Sequence, residues 1–285
     1  MAFSVNTNVG AMTALQSLNA TTRALSTTQS RINSGMNVSS TKDDSASYTI
    51  AQDLRSNLSG LKAVTSSLNN AKSVTDVAIA GAEQISDVIN QMKGLATQAS
   101  DKGATDASRT AYNKDFEALR DQITTIVKSS DFNGTNLLKT SGGTVSALQS
   151  LNSAGSGSGY TPDTLSVANQ GMSLATSGAS GKLTTSSSIS SFSGATAMVT
   201  ALTKYQDDLK GKLSTLGAAS RKIDSQLSFT SKLSDVVEAG IGNLVDADLA
   251  KESAKLTALQ TKQQLGVQAL SIANQAPQTI TSLFR

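Results

Sequence analysis

A long stretch in the first third of the chain carries one unbroken apolar pattern. From Ile50 to Ala99, apolar side chains recur at spacings of three and four residues, and only Asn57 and Thr75 interrupt them. We interpret these two buried polar positions as contacts that set the register. This spacing keeps the side chains on one face of an α-helix. The pattern predicts a single helix of roughly 75 Å, at about 1.5 Å per residue. Its predicted core positions include Leu54, Leu61, Leu68, Ile85, Ile89 and Met92.

A second pattern with the same spacing lies between Met198 and Leu244, and it predicts a helix long enough to cover the first. Lys212, Gln226, Thr230 and Gly240 are its weak positions, so it predicts a bundle with local polar contacts rather than an uninterrupted coiled coil. A shorter helix between Tyr112 and Ile126 precedes it. The predicted core positions of these two helices are Phe116, Leu119, Leu209, Leu216, Ile223 and Leu233.

The two ends of the chain have narrower apolar stripes. A helix that buries so little apolar surface is marginal alone, because helices draw most of their stability from tertiary packing. We therefore expect both end helices to need partners. The positions expected to make those contacts are Leu15, Leu18, Leu25 and Ile32 at the amino end, and Leu256, Leu259, Leu270, Ile280 and Phe284 at the carboxyl end.

The centre of the chain, residues 131–195, changes character. Asn133-Gly134 is the usual pair for a tight turn, and it leads into strand-like Leu137-Leu138. Residues 140–195 are rich in Ser, Thr and Gly, which indicates short strands and loops. Their short apolar islands are Val145 to Leu151, Leu165 to Ala168, and Met172 to Ala175. The predicted fold class is mainly α: nested long antiparallel helices form a coiled-coil-like bundle, with a small β-hairpin and loop region in the middle of the chain.

Composition supports a structural rather than a catalytic protein. Only 38% of the 285 residues are hydrophobic and 4% aromatic, which suits closely packed helices of small residues. The chain has no Cys and no His, so it has no disulfide framework and no thiolate metal site, and it lacks the commonest general base and metal ligand. We therefore expect neither ordinary hydrolase chemistry nor zinc chemistry. The pair Asp43 and Asp44 lacks a third ligand, and we interpret it as a helix cap. We expect no enzyme activity, no cofactor and no metal.

Charge and hydropathy narrow the class of partner. The net charge of +3 is dispersed along the chain without a basic block, so we expect no nucleic-acid binding. No run of about 18 apolar residues is present, so we expect no membrane insertion. Residues Met1 to Asn6 lack a basic region and an apolar core, so we expect no cleaved Sec signal.

The two ends of the chain resemble bacterial flagellin, in a short form that lacks the outer variable domains. The resemblance spans residues 1–138 and 196–285. The amino-terminal motifs are Asn6-Thr7-Asn8, Ala11-Met12, Arg31-Ile32-Asn33-Ser34-Gly35, Lys42-Asp43-Asp44 and Phe132-Asn133-Gly134. The carboxyl-terminal motifs are Asp246-Ala247-Asp248, Gln263-Gln264, Ala273-Asn274-Gln275, Pro277-Gln278 and Leu283-Phe284-Arg285.

The resemblance implies a subunit exported unfolded through the flagellar type III apparatus and added at the tip of a helical, extracellular filament used for swimming. Residues 1–42 and 245–285 would form the inner tube, and residues 43–244 the outer tube, with residues 131–190 on its exterior. The implied partners are further copies of the chain, other flagellins, the export apparatus, a chaperone, and the cap and hook–filament junction proteins. We expect residues 1–40 and 247–285 to be disordered in the free monomer.

The resemblance also bears on recognition by a flagellin-sensing Toll-like receptor. Strongly stimulating flagellins carry Arg and Glu at the positions that align with Gln91 and Gly94. Because both charges are absent here, we expect weak receptor activation.

Two other functions remain open on the sequence. A flagellin-like hook–filament junction protein shares the terminal helices but forms only a short ring zone. An autonomous coiled-coil adaptor would form a folded oligomer of fixed size, whereas a heterologous contact that does not close produces open-ended growth.

Overall fold

The computed structural model describes residues 7–153, 161–174 and 183–283, and the chain is mainly helical within those ranges. The helices are α1 (Val9–Ser34), α2 (Ser45–Ala99), α3 (Asp106–Ser129), α4 (Phe192–Val245) and α5 (Leu249–Leu283), and the strands are β1 (Val145–Ser153) and β2 (Pro162–Val167). The predicted fold class is confirmed: a helical bundle with one small antiparallel hairpin. The described part contains no helix long and apolar enough to cross a membrane.

The chain divides into two compact units. One comprises Met1–Leu58 with Asp235–Arg285, and we call it the terminal unit; the other comprises Ser59–Ser234, and we call it the central unit. The divisions fall inside α2 and α4, whereas the sequence placed them in the breaks before α2 and after α4. The helices are continuous there because their apolar periodicity does not change at these points.

In the central unit, α2 and α4 lie side by side and run in opposite directions. Lys72 of α2 forms an ion pair with Asp224 of α4. One turn further along α2, Asp76 accepts a hydrogen bond from Ser220 at 3.4 Å. Towards the end of α2, a bond of 2.7 Å joins Asn90 to Gln206. Residue numbers rise along α2 as they fall along α4, so the two helices are antiparallel.

One continuous apolar core fills the central unit. Most of the predicted core residues lie in it: Leu61, Leu68, Ile85, Ile89, Met92, Phe116, Leu209, Leu216 and Ile223 are buried, and Leu119 packs against them half-buried. Leu54, in the terminal unit, is half-buried. Leu233 is 37% exposed, so its assignment to the core was wrong. It lies two turns beyond Gln226, the residue through which α4 bonds the hairpin.

The third helix covers the last part of α2. Arg109 of α3 is buried, and its guanidinium donates to the carbonyl of Ala99 at 3.0 Å and to that of Asp101 at 2.7 Å. These bonds satisfy carbonyls that the end of a helix leaves unpaired. At the other end of α3, Ser130 lies against Gly81 of α2. Helix α3 is therefore antiparallel to α2.

The hairpin covers the part of α2 and α4 that α3 does not reach. The amide of Leu148 in β1 donates to Ser67 Oγ of α2 at 3.0 Å, and Gln226 Nε2 of α4 donates to the carbonyl of Gln149 at 2.7 Å. Further along α4, Lys212 Nζ donates to the carbonyl of Gly171 at 3.1 Å. Gln226 and Lys212 are two of the weak positions of the α4 pattern, and they supply polar contacts between elements.

Two interruptions of the α2 pattern do not set its register. Thr75 is fully buried, but its hydroxyl donates to the carbonyl of Ala71 in the same helix at 2.8 Å. Asn57 is exposed. The interpretation of these residues as register-setting contacts was wrong, because neither side chain forms a hydrogen bond across to another helix within the described part of the chain.

The predicted Asn-Gly turn is present. Asn133 and Gly134 have φ of 52° and 78°, and Phe132 and Thr135 exchange two backbone hydrogen bonds of 3.0 Å. The predicted strand at Leu137-Leu138 is wrong, since these fully buried residues lie in an irregular segment.

The buried side chain of Asn136 holds that irregular segment in place. Its Nδ2 donates to the carbonyl of Val127 at 2.7 Å, and its Oδ1 accepts from the amides of Leu138 and Lys139 at 2.9 Å. One side chain thus replaces the ladder bonds of a strand. Of the apolar island at Met172 to Ala175, Met172 is buried without forming a strand, and Ala175 lies outside the described residues.

Two glycines of α2 offer a matched test of this packing. A β-carbon at Gly81 would lie 2.3 Å from Ser130 Oγ and 2.8 Å from Leu138 Cδ1, whereas one at Gly94 would meet no atom within 4 Å. We predict that Gly81→Ala lowers the free energy of unfolding by about 1–3 kcal/mol through overpacking. Gly94→Ala should raise it by about 0.5–1 kcal/mol, because alanine is the better helix former. Chemical denaturation measures both, and equal effects of the two substitutions would contradict the described packing.

Candidate assembly surface of the terminal helices

In the terminal unit, α1 and α5 pair along their lengths in opposite directions. Near the start of α1, Asn8 Nδ2 donates to the carbonyl of Ala273 at 2.7 Å. In the middle, Leu18 lies against Gly266, where a β-carbon would be 3.3 Å from Leu18 Cδ1. At the end of α1, the guanidinium of Arg31 lies 3.5 Å from the carboxylate of Glu252. The pair therefore has one defined antiparallel register.

The residues buried between α1 and α5 are polar. On α1 they are Thr21 and Thr28, with 5% and 0% exposure, and on α5 the buried residue is Glu252 with 7%. None of the three belongs to the apolar pattern from which the contact positions were predicted. The signal was the spacing, since Thr21 and Thr28 each lie three residues after a leucine of the stripe, at the alternate position of a heptad.

The predicted contact residues in the described part of the chain are less buried than these three polar side chains. Leu15 is 48% exposed. Leu18, Leu25, Ile32, Leu256, Leu259 and Leu270 are half-buried. The side chain of Ile280 and residue Phe284 lie outside the described part. The α1–α5 pair thus buries only part of the apolar surface that each helix carries.

Several apolar side chains of this pair are exposed. On α1, Val9 and Met12 are 70% and 62% exposed, and with Leu15 they line an open groove of about 890 Å³. On α5 the exposed residues are Leu249, Leu265, Val267 and Ile272. Large apolar side chains that are exposed together usually mark a protein–protein contact. We define the assembly surface as the exposed apolar side chains of α1 and α5.

Short backbone contacts hold together the ends of the four helices that meet in the terminal unit. Gly35, at φ 70°, ends α1 in the left-handed conformation that glycine adopts most readily. The carbonyl of Val245 accepts from the amides of Asn37 and Val38, at 2.7 and 3.2 Å, and the amide of Ala247 donates to the carbonyl of Gly35 at 2.9 Å. A small core of Val38, Ala51 and Val245 lies beside these bonds.

Asp43 and Asp44 act as hydrogen-bond acceptors at the entry to α2. Asp44 Oδ1 accepts from the amides of Ala46 and Ser47 at 3.0 and 3.2 Å, and Asp43 Oδ2 accepts from the hydroxyls and amides of Ser39 and Ser40. Hydrogen bonds from the Ser39 and Ser47 hydroxyls lower the pKa of Asp43 and of Asp44, respectively. Within the described ranges, no group of three metal-binding side chains includes them.

The two positions that the resemblance associates with receptor recognition lie in the central unit. Gln91 and Gly94 are exposed on α2 and line a groove of about 560 Å³ between α2 and α3. Gln98 and Gln122 line it as well, and Asp115 is its charged lining residue. The surface at Gln91 and Gly94 is therefore accessible but carries no charge of its own at these two positions.

Comparison with known proteins identifies relatives that align with this chain over nearly its whole length. The family described as "Bacterial flagellin N-terminal helical region" matches residues 5–143, and "Bacterial flagellin C-terminal helical region" matches residues 199–284. Flagellin FljK of Caulobacter vibrioides is 43% identical over 282 residues, which cover 99% of this chain and 98% of FljK. A flagellin of Brucella melitensis is 35% identical over 285 residues, covering 99% of both chains. Flagellin C of Rhizobium meliloti is 32% identical over 322 aligned positions, again covering 99% of both.

Proposed function

The chain belongs to the bacterial flagellin family and is a structural subunit of the extracellular flagellar filament, and from this premise we propose how it assembles. Residues 1–42 and 245–285 form the inner tube, and residues 43–244 form the outer tube with residues 131–190 on the exterior. The subunit is exported unfolded by the flagellar type III route, accompanied by a chaperone, and adds at the tip below the cap. The hook–filament junction proteins connect it to the hook.

The unequal packing of the two units supports this arrangement. The central unit has a filled core built from α2, α3, α4 and the hairpin. The terminal helices instead carry the assembly surface, which neighbouring subunits cover in the filament. Since the surface on one subunit contacts a different surface on the next, the contact is heterologous and growth is open-ended. The single observation that carries the proposal is the exposure of Val9, Met12 and Leu15 on one stretch of α1.

We predict that Met12→Ser combined with Leu15→Ser abolishes or strongly slows growth from short filament seeds. Each substitution removes a large apolar side chain whose burial contributes about 1.5–3 kcal/mol. Thr13→Ser with Gln16→Ser, on the same stretch of α1, is the matched control and should grow like the parent chain. Negative-stain electron microscopy of seeded reactions measures growth. A chain that lacks residues 247–285 should not grow at all.

The same seeded-growth experiment distinguishes a filament subunit from the two alternative functions. A junction protein or a coiled-coil adaptor forms discrete oligomers of fixed size, and the length of its particles does not depend on seeds. Full growth by the Met12→Ser, Leu15→Ser variant would show that this part of α1 does not contact neighbouring subunits.

The terminal helices also predict a difference between free and assembled subunits. We predict that amides in residues 1–40 and 247–285 exchange with solvent nearly unprotected in the free monomer, because the α1–α5 pair alone buries little apolar surface. In filaments the same amides should be protected. Hydrogen–deuterium exchange followed by mass spectrometry compares the two states, with central-unit peptides as the internal standard. Strong protection of α1 before assembly would contradict the prediction.

We further propose that this flagellin activates the Toll-like receptor weakly, because Gln91 and Gly94 supply no charge for an ionic contact. The expected result is a low response of reporter cells to the parent monomer and a higher response to Gln91→Arg with Gly94→Glu. Gln98→Arg with Gln122→Glu, on the same groove, is the control for a general effect of charge. A parent response equal to that of a strong stimulator would contradict the proposal.

A further inference from the structure

Buried polar atoms without a hydrogen-bond partner occur at one place in the described part of the chain. They are Thr28 Oγ1 and Arg31 Nε on α1 and Glu252 Oε2 on α5. Thr28 and Arg31 lie one turn apart on the same face of α1, and Arg31 contacts Glu252. In the central unit the buried polar side chains of Thr75, Arg109 and Asn136 form hydrogen bonds. Within the described part of the chain, the buried polar atoms that lack a hydrogen-bond partner therefore belong to the α1–α5 pair.

The ion pair within this group is incompletely formed. Arg31 and Lys255 both approach the same oxygen, Glu252 Oε1, at 3.5 and 3.6 Å, and the other oxygen has no partner. The Glu252 side chain is only 9% exposed, so its charge is largely removed from water. A buried ion pair offsets this desolvation only with good geometry and with further hydrogen bonds to the remaining atoms. Glu252 has neither the two-pronged contact with Arg31 nor those further bonds.

We infer that Thr28, Arg31 and Glu252 form a destabilising element that keeps the α1–α5 pair weak in the free subunit. The inference deepens the proposed function, since it rests on neighbouring subunits supplying the missing apolar contacts in the filament. Burying a hydroxyl without a partner costs free energy that a methyl group of similar size does not. The pair is thus opposed by its own polar centre until assembly covers the leucines on either side.

The test measures pairing in single free subunits and does not require filaments. The chain has no cysteine, so donor and acceptor dyes can be attached at Asn19→Cys and Lys262→Cys, two exposed positions on α1 and α5. Single-molecule energy transfer then gives the ratio of paired to unpaired molecules. In this background we expect Thr28→Val to raise the ratio about 5- to 100-fold, the change that corresponds to removing one unpartnered buried hydroxyl.

Thr27→Val is the matched control, because Thr27 lies next to Thr28 on α1 but is exposed and already bonds the carbonyl of Arg23. It should leave the ratio within about twofold of the parent, as surface substitutions usually do. A second variant, Arg31→Met with Glu252→Leu, replaces the ion pair by apolar side chains and should also raise the ratio. Glu252→Gln alone should lower it, since Arg31 then loses its charged partner.

The inference is overturned if both Thr28→Val and the Arg31→Met, Glu252→Leu variant leave the ratio unchanged or lower it. Filament formation is scored separately, without seeds, and both variants should start sooner than the parent. If no variant and no parent chain forms filaments while the ratios change as expected, the proposed assembly fails but the inference stands. If filaments form and the ratios do not change, the inference fails but the proposed assembly stands.

Discussion

The weak contact between α1 and α5 determines how this subunit can assemble. The residues of these two helices that are most fully buried are Thr21, Thr28 and Glu252, whereas the leucines, including Leu18 against Gly266, are at most half-buried. A fully buried leucine contributes about 1.5–3 kcal/mol, and a half-buried one correspondingly less. A pair built in this way has a defined register but little stability. Further partners are therefore needed, and the family to which the chain belongs supplies them as copies of itself.

In the central unit, by contrast, the apolar face of the long helix α2 is covered by other elements of the same chain. Alanines at many buried positions of α2 let neighbouring elements approach closely, and larger side chains such as Phe116 and Ile123 of α3 fill the remaining volume. Helix α3 covers one part of α2 and the hairpin covers another. The central unit thus has a filled apolar core of its own, and its buried polar side chains Thr75, Arg109 and Asn136 form hydrogen bonds within it.

Much of this organisation could be predicted because helical periodicity is a local signal. The extents of α2 and α4, the Asn133-Gly134 turn and the capping role of Asp44 all depend on residues close together in sequence. The errors arose where a distant neighbour decides the outcome. Leu233 follows the pattern of α4 but lies beyond the hairpin contact, and Leu137-Leu138 has the composition of a strand but is held by the side chain of Asn136.

The buried threonines of α1 are a second case in which a distant part of the chain decides what the sequence pattern cannot predict. Their spacing placed Thr21 and Thr28 at heptad positions, but an apolar criterion passed over them. Only the position of α5 reveals that Thr21 and Thr28 are more deeply buried in the contact between the two helices than the leucines are. The further contacts of the half-buried leucines are proposed to form only in the filament.

The most direct test of the central claim is an electron cryo-microscopy structure of filaments grown from this chain, at a resolution that shows side chains. In such filaments we expect α1 and α5 to line the channel, Thr21 and Thr28 to face α5 of the same subunit, and Met12, Leu15 and Leu265 to be buried against neighbouring subunits. Filaments in which these three side chains remain exposed, or in which α1 turns its threonines toward another subunit, would contradict this claim.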